Sequence, residues 1–217
     1  MSSRKIKPNL KACLRSMRSI ICNCCWSGFL YKHANKRFDN PFIWSRIYTS
    51  SFTKLLKNFY TINFCNIKMC SCDDYIKFDP WSIKPFDQQI ILTDYDIHVI
   101  YHHYHYSVND TVPRRDGINI YYDKHYELVL ANYMKRAARM PTMESPIWLY
   151  LDNEQPGFSS IVDKVELLET ATSCKRPLIY YTEDESFHKY ETATVKVIVD
   201  KILSWDELTN KYCYLFD

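Results

Sequence analysis

The stretch Gln89–Tyr106, QIILTDYDIHVIYHHYHY, is rich in Ile, Val and Tyr and alternates in polarity. Branched and aromatic side chains suit a pleated, half-buried surface, so this run predicts a long strand or a hairpin. The chain beyond it continues in the same manner. Asn109–Gly117 (NDTVPRRDG) is turn chemistry, Ile118–Tyr122 reads as a strand, and Tyr126–Met140 reads as a helix that stops before Pro141. Pro146–Leu151 (PIWLYL), Ile161–Leu168, Leu178–Tyr181 and Thr192–Ile202 read as further strands. In the last of these, Thr194, Lys196 and Ile198 alternate with Val195, Val197 and Val199, the period of a half-buried strand. Ser204–Leu208 opens a helix, with Ser204 as N-cap and Glu207 three residues on completing a capping box. Many short strands with few helices predict an α+β, β-rich fold class: a β-sandwich-like or antiparallel-sheet body with one or two helices.

Upstream of this body the charge reverses. Residues 1–68 carry 13 Lys and Arg against the single acid Asp39, a net of +12, whereas residues 69–217 carry 15 against 24 acids, a net of −9. The expected organisation is a basic, Cys-rich helical N-terminal arm over 1–68 and an acidic β-rich globular domain over 69–217. In the arm, Leu10, Cys13, Leu14, Met17 and Ile21 line one helical face, with Lys7, Lys11, Arg15 and Arg18 on the other. A second apolar stretch, Phe38–Tyr60, has nearly helical spacing after Pro41.

Composition excludes some classes of function. Only 3 glycines occur in 217 residues, which argues against any site built on a Gly-rich phosphate loop. Of the nine cysteines, seven fall within the first 72 residues. A disulfide-stapled domain would spread them through the fold, so a reducing, cytoplasmic compartment is expected. No run of about 18 apolar residues is present, and Ser19–Tyr31 makes a poor signal-peptide core. Richness in Ile, Asn, Lys, Tyr and Phe fits an AT-rich genome such as many viruses have.

The candidate functional residues follow the charge. Lys7, Lys11, Arg15, Arg18, Lys32, Lys36 and Arg37 are candidates for binding an anionic surface, each basic residue near anionic lipid contributing about 1 kcal/mol. Cys22, Cys24 and Cys25, flanked by apolar residues, form a candidate lipidation cluster. Nucleic acid is the alternative polyanion, and docking of the arm on its own acidic body is the bland reading. His98, His102, His103 and His105 with Tyr104 form a candidate interaction surface on the Tyr/His-rich strand. His103-x-His105 resembles the cupin metal motif, but Ser107, Val108 and Asn109 follow it and Gly117 stands isolated. No metal, cofactor or catalytic residue is therefore assigned, and no nucleophile motif frames any Ser or Cys.

Leu178–Val199, LIYYTEDESFHKYETATVKVIV, resembles the C-terminal part of poxvirus host-range β-sandwich proteins that antagonise innate defences. The resemblance covers about a tenth of the chain. It implies a β-sandwich surface directed at a host factor, as a soluble viral accessory protein would have. The primary expectation remains a non-enzymatic, cytoplasmic protein associated with membranes. Its basic arm would bind an anionic membrane surface and its β-rich body would bind protein partners.

Overall fold

A computed structural model of the chain describes residues 18–71, 88–101, 129–140, 143, 145–152, 159–201 and 203–212. Its content is mixed α and β, in two sheets with several helices. Lys7, Lys11 and Arg15, most of the expected Leu10–Ile21 helix, and His102, His103, Tyr104 and His105 lie outside the described residues.

The Tyr/His-rich stretch begins as a hairpin. β4 (Gln88–Leu92) and β5 (Ile97–Tyr101) pair antiparallel, joined by a turn in which Asp96 takes a φ of 52°. β3 (Ile67–Ser71) pairs with β4, and β2 (Ser45–Ile47) with β5, giving an antiparallel sheet of order β2-β5-β4-β3.

The second sheet departs from the sequence expectation. β1 (Ile20–Cys22), β6 (Ile147–Leu151), β7 (Leu178–Thr182) and β8 (Val195–Val199) run parallel, in the order β1-β6-β7-β8. The strands assigned from sequence to a sandwich or antiparallel body, including the pair within Leu178–Val199, are therefore parallel. The physical reason is written in IWLYL and LIYYT, where all five residues of each strand are buried. A continuous apolar run marks a strand covered on both faces, as parallel strands are, and not one that alternates core and water.

Parallel neighbours need a crossover, and here sequence and structure differ again. Ile161–Leu168, read as a strand, lies within helix α4 (Ile161–Ser173). Ser160 caps it: Asp163 N–H donates to Ser160 Oγ at 3.1 Å while Ser160 N–H donates to Asp163 Oδ2 at 2.9 Å. A 3₁₀ segment, Glu185–Tyr190, leads from β7 towards β8. The other helices are α1 (Trp26–Ala34), α2 (Thr49–Asn58), α3 (residues 129–137) and α5 (Trp205–Tyr212). The capping box expected at Ser204 is present, with Glu207 N–H on Ser204 Oγ and Ser204 N–H on Glu207 Oε2.

Strand periodicity divides the core in two. Ile21, Trp148, Tyr150, Leu178 and Tyr180 face α2, α3, α4 and one side of the antiparallel sheet. Ile20, Cys22, Leu149, Leu151, Ile179 and Tyr181 face α1 and α5. Trp148 anchors the first layer, with the Phe52 and Phe59 rings edge-on at 5.5 and 5.3 Å, a geometry that adds to burial energy.

Residues 20–68, expected to form an arm, supply β1, β2, α1 and α2, and the charge boundary at Lys68 falls inside β3. Asn23 ties this segment to both sheets. Its side chain accepts from Leu151 N–H at 2.8 Å and donates to Leu151 C=O at 3.0 Å, adding one rung to the β1–β6 ladder. Its carbonyl accepts from Ile47 N–H of β2 at 2.9 Å.

Candidate functional site

The two ends of the parallel sheet are chemically different. At the amino end, where β1 and β6 begin, α1 terminates in Asn35 with a φ of 51°, a left-handed C-cap that Asn tolerates. The chain then returns across the start of β1. Asp39 fixes this return by accepting from Ser19 Oγ at 2.7 Å and from Tyr31 O–H at 2.5 Å, while Asn40 Nδ2 donates to Ile20 C=O at 3.0 Å. Burial, reinforced by the Asp39 charge, pushes the Tyr31 phenol well above its ordinary range, so it serves as a permanent donor.

Basic groups collect on this return. Arg18 donates to Ser145 C=O beside the start of β6. Lys36 stands 4.0 Å from Asp39 and 5.6 Å from the Tyr31 ring centre. Arg37 is exposed, as is Lys32 one turn earlier on α1. Arg139 donates to Phe38 C=O at 2.6 Å, and the Arg136 guanidinium lies over the Phe38 ring at 4.8 Å. The fold thus joins four of the sequence candidates, Arg18, Lys32, Lys36 and Arg37, to two residues that sequence reasoning missed. The available signal was Lys135-Arg136-Ala137-Ala138-Arg139, a basic island in an acidic half.

The carboxyl end is acidic. Asp152 follows β6 and is buried; its Oδ2 accepts from Tyr180 O–H at 3.0 Å and Thr182 O–H at 3.2 Å, and Lys164 Nζ lies 2.8 Å from Oδ1. Tyr150 and Tyr180 stack beside it with ring centres 5.2 Å apart. Glu183, Asp184 and Glu185 follow β7, and Asp200 follows β8, bound by Lys211 and Tyr212. The Lys211 ammonium and the Tyr212 hydroxyl hold Asp200 below the usual carboxylate range.

The three cysteines of the candidate lipidation cluster leave β1 at this same end. Cys22 and Cys24 are buried, with Sγ atoms 3.4 Å apart, and only Cys25 is partly exposed. An acyl chain on either buried thiol would require the layer under α1 to open. His98, on β5, is bound on both ring nitrogens, to Asp96 at 2.8 Å and Gln89 at 3.0 Å, the satisfied state of a surface-strand histidine.

Among the described residues no three His, Cys, Asp or Glu side chains converge in a way that could hold a metal ion. None of the helices among them is long and apolar enough to cross a membrane. No curated protein matches the chain. The model of a domain of unknown function, DUF1919, matches residues 2–121, which takes in β1 to β5 and the greater part of the basic face. That span exceeds half of the 217 residues, and the chain belongs to the DUF1919 family.

Proposed function

We propose that the chain is a non-enzymatic peripheral protein that binds anionic membrane surfaces through the basic face at the amino end of its parallel sheet. The observation that carries this reading is the seating of Arg136 and Arg139 on Phe38, next to Arg18, Lys36 and Arg37. Residues about a hundred positions apart in sequence contribute one sign of charge to one face, which concentrates the local potential more than any of them would alone. Lys7, Lys11 and Arg15 precede Arg18 in the chain and would add to the same attraction. With the basic face on the lipid, the acidic carboxyl end of the sheet points away and is open to protein partners.

The test is flotation of the full chain with vesicles of neutral lipid alone and of neutral lipid mixed with phosphatidylserine. Binding should require the anionic lipid and should fall as salt is raised. Replacing Arg18, Lys32 and Arg37 together by Ala removes three charges of about 1 kcal/mol each and should weaken partitioning roughly 100-fold. A chain that ignores phosphatidylserine, or a triple variant that floats like the parent, refutes the proposal. Binding to single-stranded nucleic acid at matched salt without any lipid binding would assign the face to the other polyanion.

A further inference from the structure

The thiols beneath α1 have a geometry that the basic face does not explain. Cys22 ends β1 and Cys24 lies two residues on, in the bend that leads into α1, and this bend brings the two side chains together. Their sulfurs stand 3.4 Å apart and both are reduced. Cys24 sits just ahead of α1, a nine-residue helix whose first N–H groups point back towards it. Burial opposes a thiolate at Cys24, but the Cys22 S–H, the Trp26 N–H and the Arg46 charge outweigh it and hold this thiol below its ordinary value. Burial and the neighbouring Cys24 push the Cys22 thiol well above its own. One sulfur is thereby favoured as the anion and its neighbour as the acid, the division of roles that a nucleophile and a resolving thiol require.

We propose that Cys22 and Cys24 form a peroxide-reactive dithiol, with Cys24 as the attacking sulfur and Cys22 as the resolving one. The Cys24 thiolate attacks one oxygen of hydrogen peroxide, the O–O bond breaks, and the departing hydroxide takes up a proton as water. Cys24 is then a sulfenic acid. Cys22 gives up its proton and attacks the Cys24 sulfur; the S–S bond forms, the S–O bond breaks, and the second oxygen leaves as water. Two thiols lose two electrons and one peroxide becomes two waters. Closing the 3.4 Å gap to a bond of about 2.0 Å is a small movement for two side chains already in contact. Cys24 is only 6% exposed, so an oxidant that reaches its sulfur must be small.

The experiment exposes the native full chain to hydrogen peroxide, then unfolds and alkylates it and weighs the tryptic peptide between Arg18 and Lys32. That peptide holds Cys22, Cys24 and Cys25, so Cys25→Ser is run beside the parent to fix the pairing. The expected result is a loss of two hydrogen masses in both proteins at peroxide levels that leave the exposed Cys65 reduced. Cys22→Ser should stop at a sulfenic acid on Cys24, trapped by dimedone. Oxidation of Cys65 ahead of the pair, or absence of the two-hydrogen loss in Cys25→Ser, overturns the proposal. Because Cys25→Ser keeps both thiols, that result stands whether or not Cys22→Ser folds.

Discussion

Replacing Lys164 by Met tests the buried carboxylate at the carboxyl end of the parallel sheet. Lys164 Nζ is 2.8 Å from Asp152 Oδ1, with the two side chains 13% and 2% exposed. Methionine preserves most of the aliphatic stem, so the change removes the charge, which also stands 6.0 Å from the Phe187 ring centre, more than packing. Removing one partner of a buried pair leaves the other charge uncompensated, at a cost of about 3–5 kcal/mol. Tyr180 and Thr182 still donate to Asp152 Oδ2, which places the expected loss near 3 kcal/mol. For a chain of this length that corresponds to a fall in Tm of roughly 6–12 °C. Urea denaturation of the parent, Lys164→Met, Asp152→Asn and the double variant closes a double-mutant cycle. Asp152→Asn should cost less than Lys164→Met, because the amide keeps an acceptor for a hydroxyl and Lys164 can turn to water. A Lys164→Met protein within about 0.5 kcal/mol of the parent would refute the reasoning, since a change of that size is what an exposed pair gives.

Gly28→Ala should destabilise the protein although alanine is the better helix former by about 1 kcal/mol. A Cβ at residue 28 would lie 2.2 Å from the Trp44 ring, which is held there by a φ of 65° and by the Phe29 ring at 4.9 Å, and overpacking of that kind costs about 1–3 kcal/mol; a thermal melt equal to or above the parent's would sink this expectation. The acid side of the stability profile should depend on Asp200. Its carboxyl is lowered in the folded state, so it stabilises above the unfolded carboxylate value, and that stability is lost as pH falls through the lower folded one. Asp200→Asn should therefore flatten the decline of Tm between about pH 5 and pH 3, and an unaltered slope would rule the group out.

Much of the local structure was legible in the chain. The Gln89–Tyr106 stretch contained its hairpin, announced by its branched and aromatic residues, and Thr192–Ile202 its half-buried strand, in which Val195 and Val197 are buried on either side of exposed Lys196. The topology of the parallel sheet was not read, because a continuous apolar run says that both faces are covered without saying which neighbours cover them. The α4 error was avoidable. Ser160-x-x-Asp163 is the same reciprocal cap that located α5 at Ser204-x-x-Glu207, but the β-branched start of Ile161-Val162 drew the reading to a strand. The basic candidates were only part of a face. Their partners, Arg136 on α3 and Arg139 just beyond its end, lie about a hundred residues away, and no local pattern indicates that Phe38 would be their seat.

Asn23 gives the proposed attachment of this protein a mechanical character. Its side chain extends the β1–β6 ladder and its carbonyl holds β2, so the start of the described chain is stitched to both sheets at one residue. A pull applied ahead of Arg18 runs along β1, parallel to β6. The rungs between those strands are then loaded side by side and must give way together, instead of being unzipped one after another. A surface that gripped the chain there would hold it in shear, the direction in which a short strand resists best.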